Sequence, residues 1–266
     1  MTADLGTLPG AWNFRDVAEE TGVRAGRFFR SSELSRLDDG GRDVIRQLGI
    51  TDVADLRTPQ EVERRGPGLL PNGVEVHLLP FPDLSTPTAE APHEATFEKM
   101  MTEKPDDEDV VLAAERFMTQ EYERFATLGG AQRAVRQVVS LLAGGRPVIT
   151  HCFAGKDRTG FTVALVLEAM GIERDAILAD FLRSNDAVPQ LRERILDSLR
   201  NRSRETPEVV TFAEARLTDE VLGVKEQYLD AARRTIDEQY GGLRGYLDAA
   251  GVTADDVTRL REQLSG

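Results

Sequence analysis

Pro147-Val148-Ile149-Thr150-His151-Cys152-Phe153-Ala154-Gly155-Lys156-Asp157-Arg158-Thr159-Gly160 is the stretch from which the fold can be read. Its first five residues follow the Gly144-Gly145 turn as a short apolar run, which predicts a buried strand. Gly160 to Met170 then reads as an apolar helix closed by Gly171. A loop that turns from a strand into a helix aims successive backbone N–H groups inward, and the helix dipole adds positive charge, so the loop is a nest for a tetrahedral dianion. Gly155 supplies a backbone angle that other residues resist. Arg158 supplies a planar fork that matches two phosphate oxygens. Phe153, Ala154, Gly155, Lys156 and Thr159 are the expected substrate-binding residues of this loop, with the Thr159 hydroxyl donating to the Cys152 sulfur.

Outward from the loop, strands and helices alternate. Ala131 to Leu142 carries an apolar stripe (Ala134, Val135, Val138, Val139, Leu142) and leads as a helix into the central strand. Thr51 to Leu56 reads as a buried strand, Val74 to Leu79 as a second strand leaving through Pro80-Phe81-Pro82-Asp83, and Leu37 to Gly49 as a helix. Val23 to Phe29 reads as short extended structure, and the chain past Ile172 as nearly all helix. The expected fold is therefore α/β: one domain over residues 1–266, with a small, mainly parallel sheet flanked by helices and a mostly helical C-terminal half. In such sheets ligands sit at the carboxyl ends of strands, which is where Cys152 falls. Residues 84–109, rich in Ser, Thr, Pro and acid, read as a mobile acidic excursion.

The same loop field acts on the thiol. A free cysteine titrates near 8.5, and a helix N-terminus with cationic neighbours lowers that to about 3.5–7.5, so Cys152 is expected to be a thiolate able to attack phosphorus in line. A cysteinyl-phosphate would form, with the amides and Arg158 holding the equatorial oxygens. Departure of the ester oxygen needs a proton donor. Asp83, at the end of the second strand, is preferred to Asp157, because a carboxylate next to Arg158 is expected to stay ionised. Arg57, at the end of the other predicted parallel strand, could reach the substrate or serve as a structural ion pair. His151 is read as structural, bonding nearby backbone. His77 and His93 form no constellation with the single cysteine, so neither a metal nor any other cofactor is expected.

The whole chain bounds the partners. It has 266 residues, 33 basic against 46 acidic, a net charge of −13 and one cysteine. Such a field repels nucleic acid and anionic membrane, and one cysteine forms no internal disulfide. The first residues lack the features of a secretory signal, and no stretch approaches the length of a membrane span, so cytoplasmic synthesis without a signal peptide or membrane insertion is expected.

The loop His-Cys-x-Ala-Gly-Lys-Asp-Arg-Thr-Gly resembles that of the bacterial protein tyrosine phosphatases of the mycobacterial secreted phosphatase B type. The resemblance extends over Leu8 to Asp16, Phe29 to Leu34, Asp55-Leu56-Arg57, Phe81 to Leu84, Arg183 to Asp186 and Gln239-Tyr240-Gly241, hence nearly the full length. It implies a phosphatase fold with Cys152 as nucleophile, Arg158 on the phosphate, and Lys156 and Asp157 as loop features shared with lipid-directed phosphatases. It further implies activity on phosphotyrosine, phosphoserine or phosphothreonine and phosphoinositides, and release from the cell by a non-classical route. A two-helix lid over the site also follows from it. The segment at about 187–225 is the candidate, with an apolar face of Val209, Val210, Phe212, Ala213, Leu217, Val221 and Leu222. Sulfur transfer by a rhodanese-like domain is the main rival, but such domains lack the Arg-Thr-Gly ending. A non-catalytic phosphate-binding module would have no need of Cys152.

Overall fold

A computed structural model describes residues 6–82, 109–201 and 207–266. Five strands form one sheet in the order β1-β2-β5-β3-β4: β1 (Arg15–Asp16), β2 (Phe28–Ser31), β3 (Asp52–Asp55), β4 (Glu75–Leu78) and β5 (Val148–His151). Only the β1–β2 pairing is antiparallel; β5 lies between β2 and β3 and runs parallel to both. Because side chains alternate along a strand, neighbouring residues serve opposite layers. Phe28, Ala54 and Val148 enter the larger core, whereas Phe29, Val53 and Ile149 enter a smaller one with Val44 and Ile45 of the Asp39–Gln47 helix. This is why Pro147 to His151 reads as a continuous apolar run: β5 is buried on both faces.

The larger core is covered by helices Val110–Thr127, Gly129–Ala143 and Asp157–Met170, together with the C-terminal helices. The α/β class, the central strand and the helical second half thus match the sequence reading. Strand β4 differs in kind. It is an edge of the sheet, and Val76 and Leu78 are 49% and 43% exposed, with no further layer over them among the described residues. The acidic excursion lies, apart from Asp109, outside the described residues, as do Asp83 and His93. No helix among the described residues is long and apolar enough to cross a membrane.

Candidate active site

Strand β5 ends at His151, and the helix Asp157–Met170 begins after five loop residues. The loop carbonyls are held from outside in succession. Cys152 O accepts from His151 Nδ1 at 3.0 Å and Phe153 O from the Glu33 amide at 2.9 Å. Ala154 O and Gly155 O both accept from Asn13 Nδ2 at 3.0 Å, and Gly155 O also from Arg30 Nη2 at 2.8 Å. In a trans peptide the carbonyl and the following N–H point to opposite sides. The N–H groups of residues 153–156 are therefore turned inward, beside Cys152. Gly155 has φ +65°, and a Cβ there would stand 2.1 Å from Ser31 O, so only glycine lets the loop lie this close to the end of β2.

The donors behind the loop are themselves clamped. Asp180 takes Arg15 Nε at 2.8 Å on one oxygen and Arg30 on the other, all three side chains being buried. Burial pushes the Asp180 carboxyl up, but Arg30 and Arg15 more than offset this and hold it below the usual carboxylate range. Arg15 Nη1 reaches Asn13 Oδ1 at 2.6 Å, which orients the amide that binds the loop. Asn13 has φ +53°, a conformation Asn tolerates better than most residues.

Arg158 sits in the first turn of the loop helix with 2% of its surface exposed. Glu61 receives it in the two-toothed manner, Oε2 from Nη1 at 2.8 Å and Oε1 from Nη2 at 2.7 Å. Glu61 Oε2 also accepts the Thr58 amide at 2.7 Å, completing a capping box on the helix Pro59–Arg65. One carboxylate thus ends a helix and aims the guanidinium. A cysteine in a loop whose amides turn inward, followed by an arginine fixed in the first turn of the next helix, can receive a tetrahedral anion.

This chain belongs to the tyrosine phosphatase family. The family model matches residues 6–266. The phosphatase is 59% identical to the triple specificity protein phosphatase PtpB of Mycobacterium tuberculosis, over 97% of its own length and 98% of that protein's. It is also 31% identical to a putative tyrosine-protein phosphatase of Cupriavidus necator, over 88% of its length and 74% of the relative's. The resemblance drawn from the motifs therefore holds over essentially the full length.

The phosphatase uses several candidate residues in ways the sequence did not indicate. Arg57 is fully buried, with Nε and Nη2 on Asp55 at 2.9 and 2.7 Å and Nη1 on Glu33 at 3.3 Å and on Gly66 O at 3.2 Å. Of the two readings of Arg57, these contacts are those of the structural ion pair. Thr159 Oγ1 is buried with no hydrogen-bond partner among the described residues, so its expected bond to sulfur is not made here. Lys156 bonds the Leu222 carbonyl and lies 3.5 Å from Asp157. Asp157 Oδ1 accepts the Tyr122 hydroxyl at 3.3 Å. His151 does bond backbone, and burial pushes its imidazole below the ordinary value despite the pull of Asp55.

Asp83 itself is not described, but the chain entering it is anchored. Phe81 is buried edge-on against Phe125 at 5.1 Å and against Phe161 of the loop helix at 5.9 Å. Asp52, Glu75 and His77 come together at the opposite end of the sheet. There Asp52 is already taken by His77 at 2.7 Å and Arg146 at 2.6 Å.

Cys152 is only 3% exposed. Phe153 and Ala154 pack in one apolar cluster with Leu191, Leu196, Leu217, Val221 and Leu222. Leu217, Val221 and Leu222 of the sequence-derived apolar face are thus on the loop, and Ala213 is buried as well. Glu61, Asp180, Asn13 and Glu33 were missed. Thr58-Pro59-Gln60-Glu61 does carry a capping-box signature that marks Glu61 as fixed, whereas nothing local marks the others.

Proposed function

We propose that this phosphatase hydrolyses phosphotyrosine, and with it phosphoserine, phosphothreonine and phosphoinositide monoesters, through a cysteinyl-phosphate. The Cys152 sulfur attacks phosphorus and the ester oxygen leaves, taking its proton from Asp83. Water then attacks the phosphocysteine; the P–S bond breaks, inorganic phosphate is released and the thiolate is restored. The observation that carries this reading is the run of outward-tied loop carbonyls, which leaves preorganised amides around one sulfur. Asp83 is favoured as acid because Asp157 already has Tyr122 and Lys156 against its two oxygens. The breadth of substrates is supported by the name of the mycobacterial relative, and release from the cell by the resemblance to that type.

A buried nucleophile cannot turn over a protein substrate, so the segment carrying Leu217, Val221 and Leu222 opens as a lid in this reading. Acid quenching during turnover of a radiolabelled phosphotyrosine peptide by the wild-type enzyme should trap phosphorus on Cys152. Label found on another residue, or a Cys152→Ser enzyme with full turnover, would sink the mechanism. A pH–rate profile that keeps both limbs in Asp83→Asn while Asp157→Asn is inactive would move the acid to Asp157.

A further inference from the structure

Tyr122 is a tyrosine where the packing asks only for a ring. It lies fully buried on the Val110–Thr127 helix among Phe125, Phe181 and Tyr228, whose ring centres are 5.3, 6.1 and 5.5 Å from its own. Phenylalanine would fill that space. A buried hydroxyl costs free energy unless it is bonded, and this one donates to Asp157 Oδ1 at 3.3 Å, in the first turn of the loop helix. Burial and the Asp157 carboxylate push the tyrosine well above its ordinary value, so it remains a donor at neutral pH.

Asp157 is an awkward residue to keep here. It opens the helix that leaves the loop and stands next to Arg158. A carboxylate at a helix N-terminus draws on the same dipole field that a thiolate and a bound phosphoryl dianion need. Free to turn over the mouth of the loop, it would repel an anionic substrate. Both of its oxygens are engaged instead: Oδ1 by Tyr122, and Oδ2 by Lys156, whose Nζ lies 3.5 Å away. Lys156 divides its ammonium between Asp157 and the Leu222 carbonyl. Tyr122 is the firmer anchor, since its ring is closed in by three others and its helix packs on the loop helix, with Phe125 meeting Phe161 at 5.9 Å.

We propose that Tyr122 is a positioning residue of the phosphatase: its hydroxyl fixes the Asp157 carboxylate clear of the incoming phosphoryl group, and so sets the affinity for phosphorylated substrates. The inference rests on the phosphatase reading of the Cys152 loop and adds a residue outside it. Tyr122 acts through Asp157 and not on the reacting atoms. Chemistry at phosphorus stays with Cys152, Arg158 and the proton donor, so the effect belongs in KM rather than in kcat.

The test is a double-substitution cycle on a phosphotyrosine peptide, with Tyr122→Phe, Asp157→Asn and the two together compared with wild type. Tyr122→Phe keeps the ring and removes one oxygen. It should raise KM about 10-fold, the scale of one hydrogen bond to a charged group, and move kcat by less than about 2-fold. In Asp157→Asn enzyme the same change should leave KM within about 2-fold, because the side chain released no longer carries a charge. A merely structural tyrosine would give equal losses in both backgrounds, and a partly unfolded variant would lower the apparent kcat without moving KM. Equal KM changes in both backgrounds, an unchanged KM in Tyr122→Phe, or a loss confined to kcat overturns the proposal. Titration calorimetry of the same peptide into the four Cys152→Ser counterparts repeats the cycle in Kd, and decides the matter if Asp157→Asn is inactive. Additive changes in Kd overturn the proposal as well. A binding cycle as expected, with no turnover by the wild type, would keep the positioning role and overturn the phosphatase reading instead.

Discussion

Glu61 binds Arg158 through both oxygens while one of them also caps its own helix, so its removal should act on catalysis and on stability together. Breaking a buried pair on one side typically costs about 3–5 kcal/mol. Glu61→Gln keeps one acceptor, and a loss of about 2–3 kcal/mol is expected in urea unfolding, with kcat/KM for p-nitrophenyl phosphate down about 10- to 100-fold. Unaltered kinetics would show that Arg158 needs no such support. Asp180 is the corresponding residue behind the loop, and its effect depends on pH. Its native value is depressed, so the unfolded chain binds the proton more readily than the native one. The stabilisation is complete above the unfolded value of about 3.9 and is lost as pH falls through the native value. Asp180→Asn leaves Arg15 and Arg30 buried without their anion. We expect it to cost about 3–5 kcal/mol at neutral pH and to flatten the decline of the urea midpoint below pH 4. An equally steep acid limb in the variant would assign that decline to other carboxylates.

At the scale of elements, the Cys152–Lys156 loop keeps its shape because it is wedged against the end of β2 and the Trp12–Phe14 segment. Ser32 N–H bonds Trp12 O at 2.9 Å, and Glu33 N–H bonds the loop. Gly155→Ala should therefore disturb the nest rather than only the backbone entropy: its Cβ meets the fixed Ser31 carbonyl, not a side chain that could swing away. A fall in kcat/KM of at least about 100-fold is expected, with far-ultraviolet circular dichroism unchanged; near-normal turnover would mean that the loop tolerates displacement. The Arg183–Ala187 turn joins the same frame. Ser184 Oγ takes both Arg15 and Arg30 at 3.1 Å, and Asn185 holds Val224 through its amide and carbonyl at 2.7 and 3.1 Å. The motif Arg183-Ser184-Asn185-Asp186 thus connects the arginines behind the loop with Val224.

Across the whole molecule, the Cys152 loop is covered by an element distant in sequence. Lys156 bonds the carbonyl of Leu222, and Phe153 and Ala154 share their apolar cluster with Val221 and Leu222. Truncating this contact should favour the open form. In Val221→Ala/Leu222→Ala enzyme, iodoacetamide should alkylate Cys152 roughly 10-fold faster, the equivalent of a shift of about 1.4 kcal/mol. Equal rates in folded protein would dispose of the opening. The strand, the loop, its glycine and its helix were legible in the sequence because they are contiguous, and local pattern and turn chemistry specify them. Glu33 and Asp180 carry no local mark of their roles, Glu61 only that of a helix cap, and Arg57 read as a candidate ligand or a structural ion pair. Their burial and pairing arise where β2, the Pro59–Arg65 helix and the Arg174–Leu182 helix converge on the loop. The order of residues alone thus determined the α/β class and singled out Cys152 and Arg158 as the candidate nucleophile and its arginine. Which charges are spent as struts was decided only by folding, since a charge's role depends on the partners that burial brings within reach.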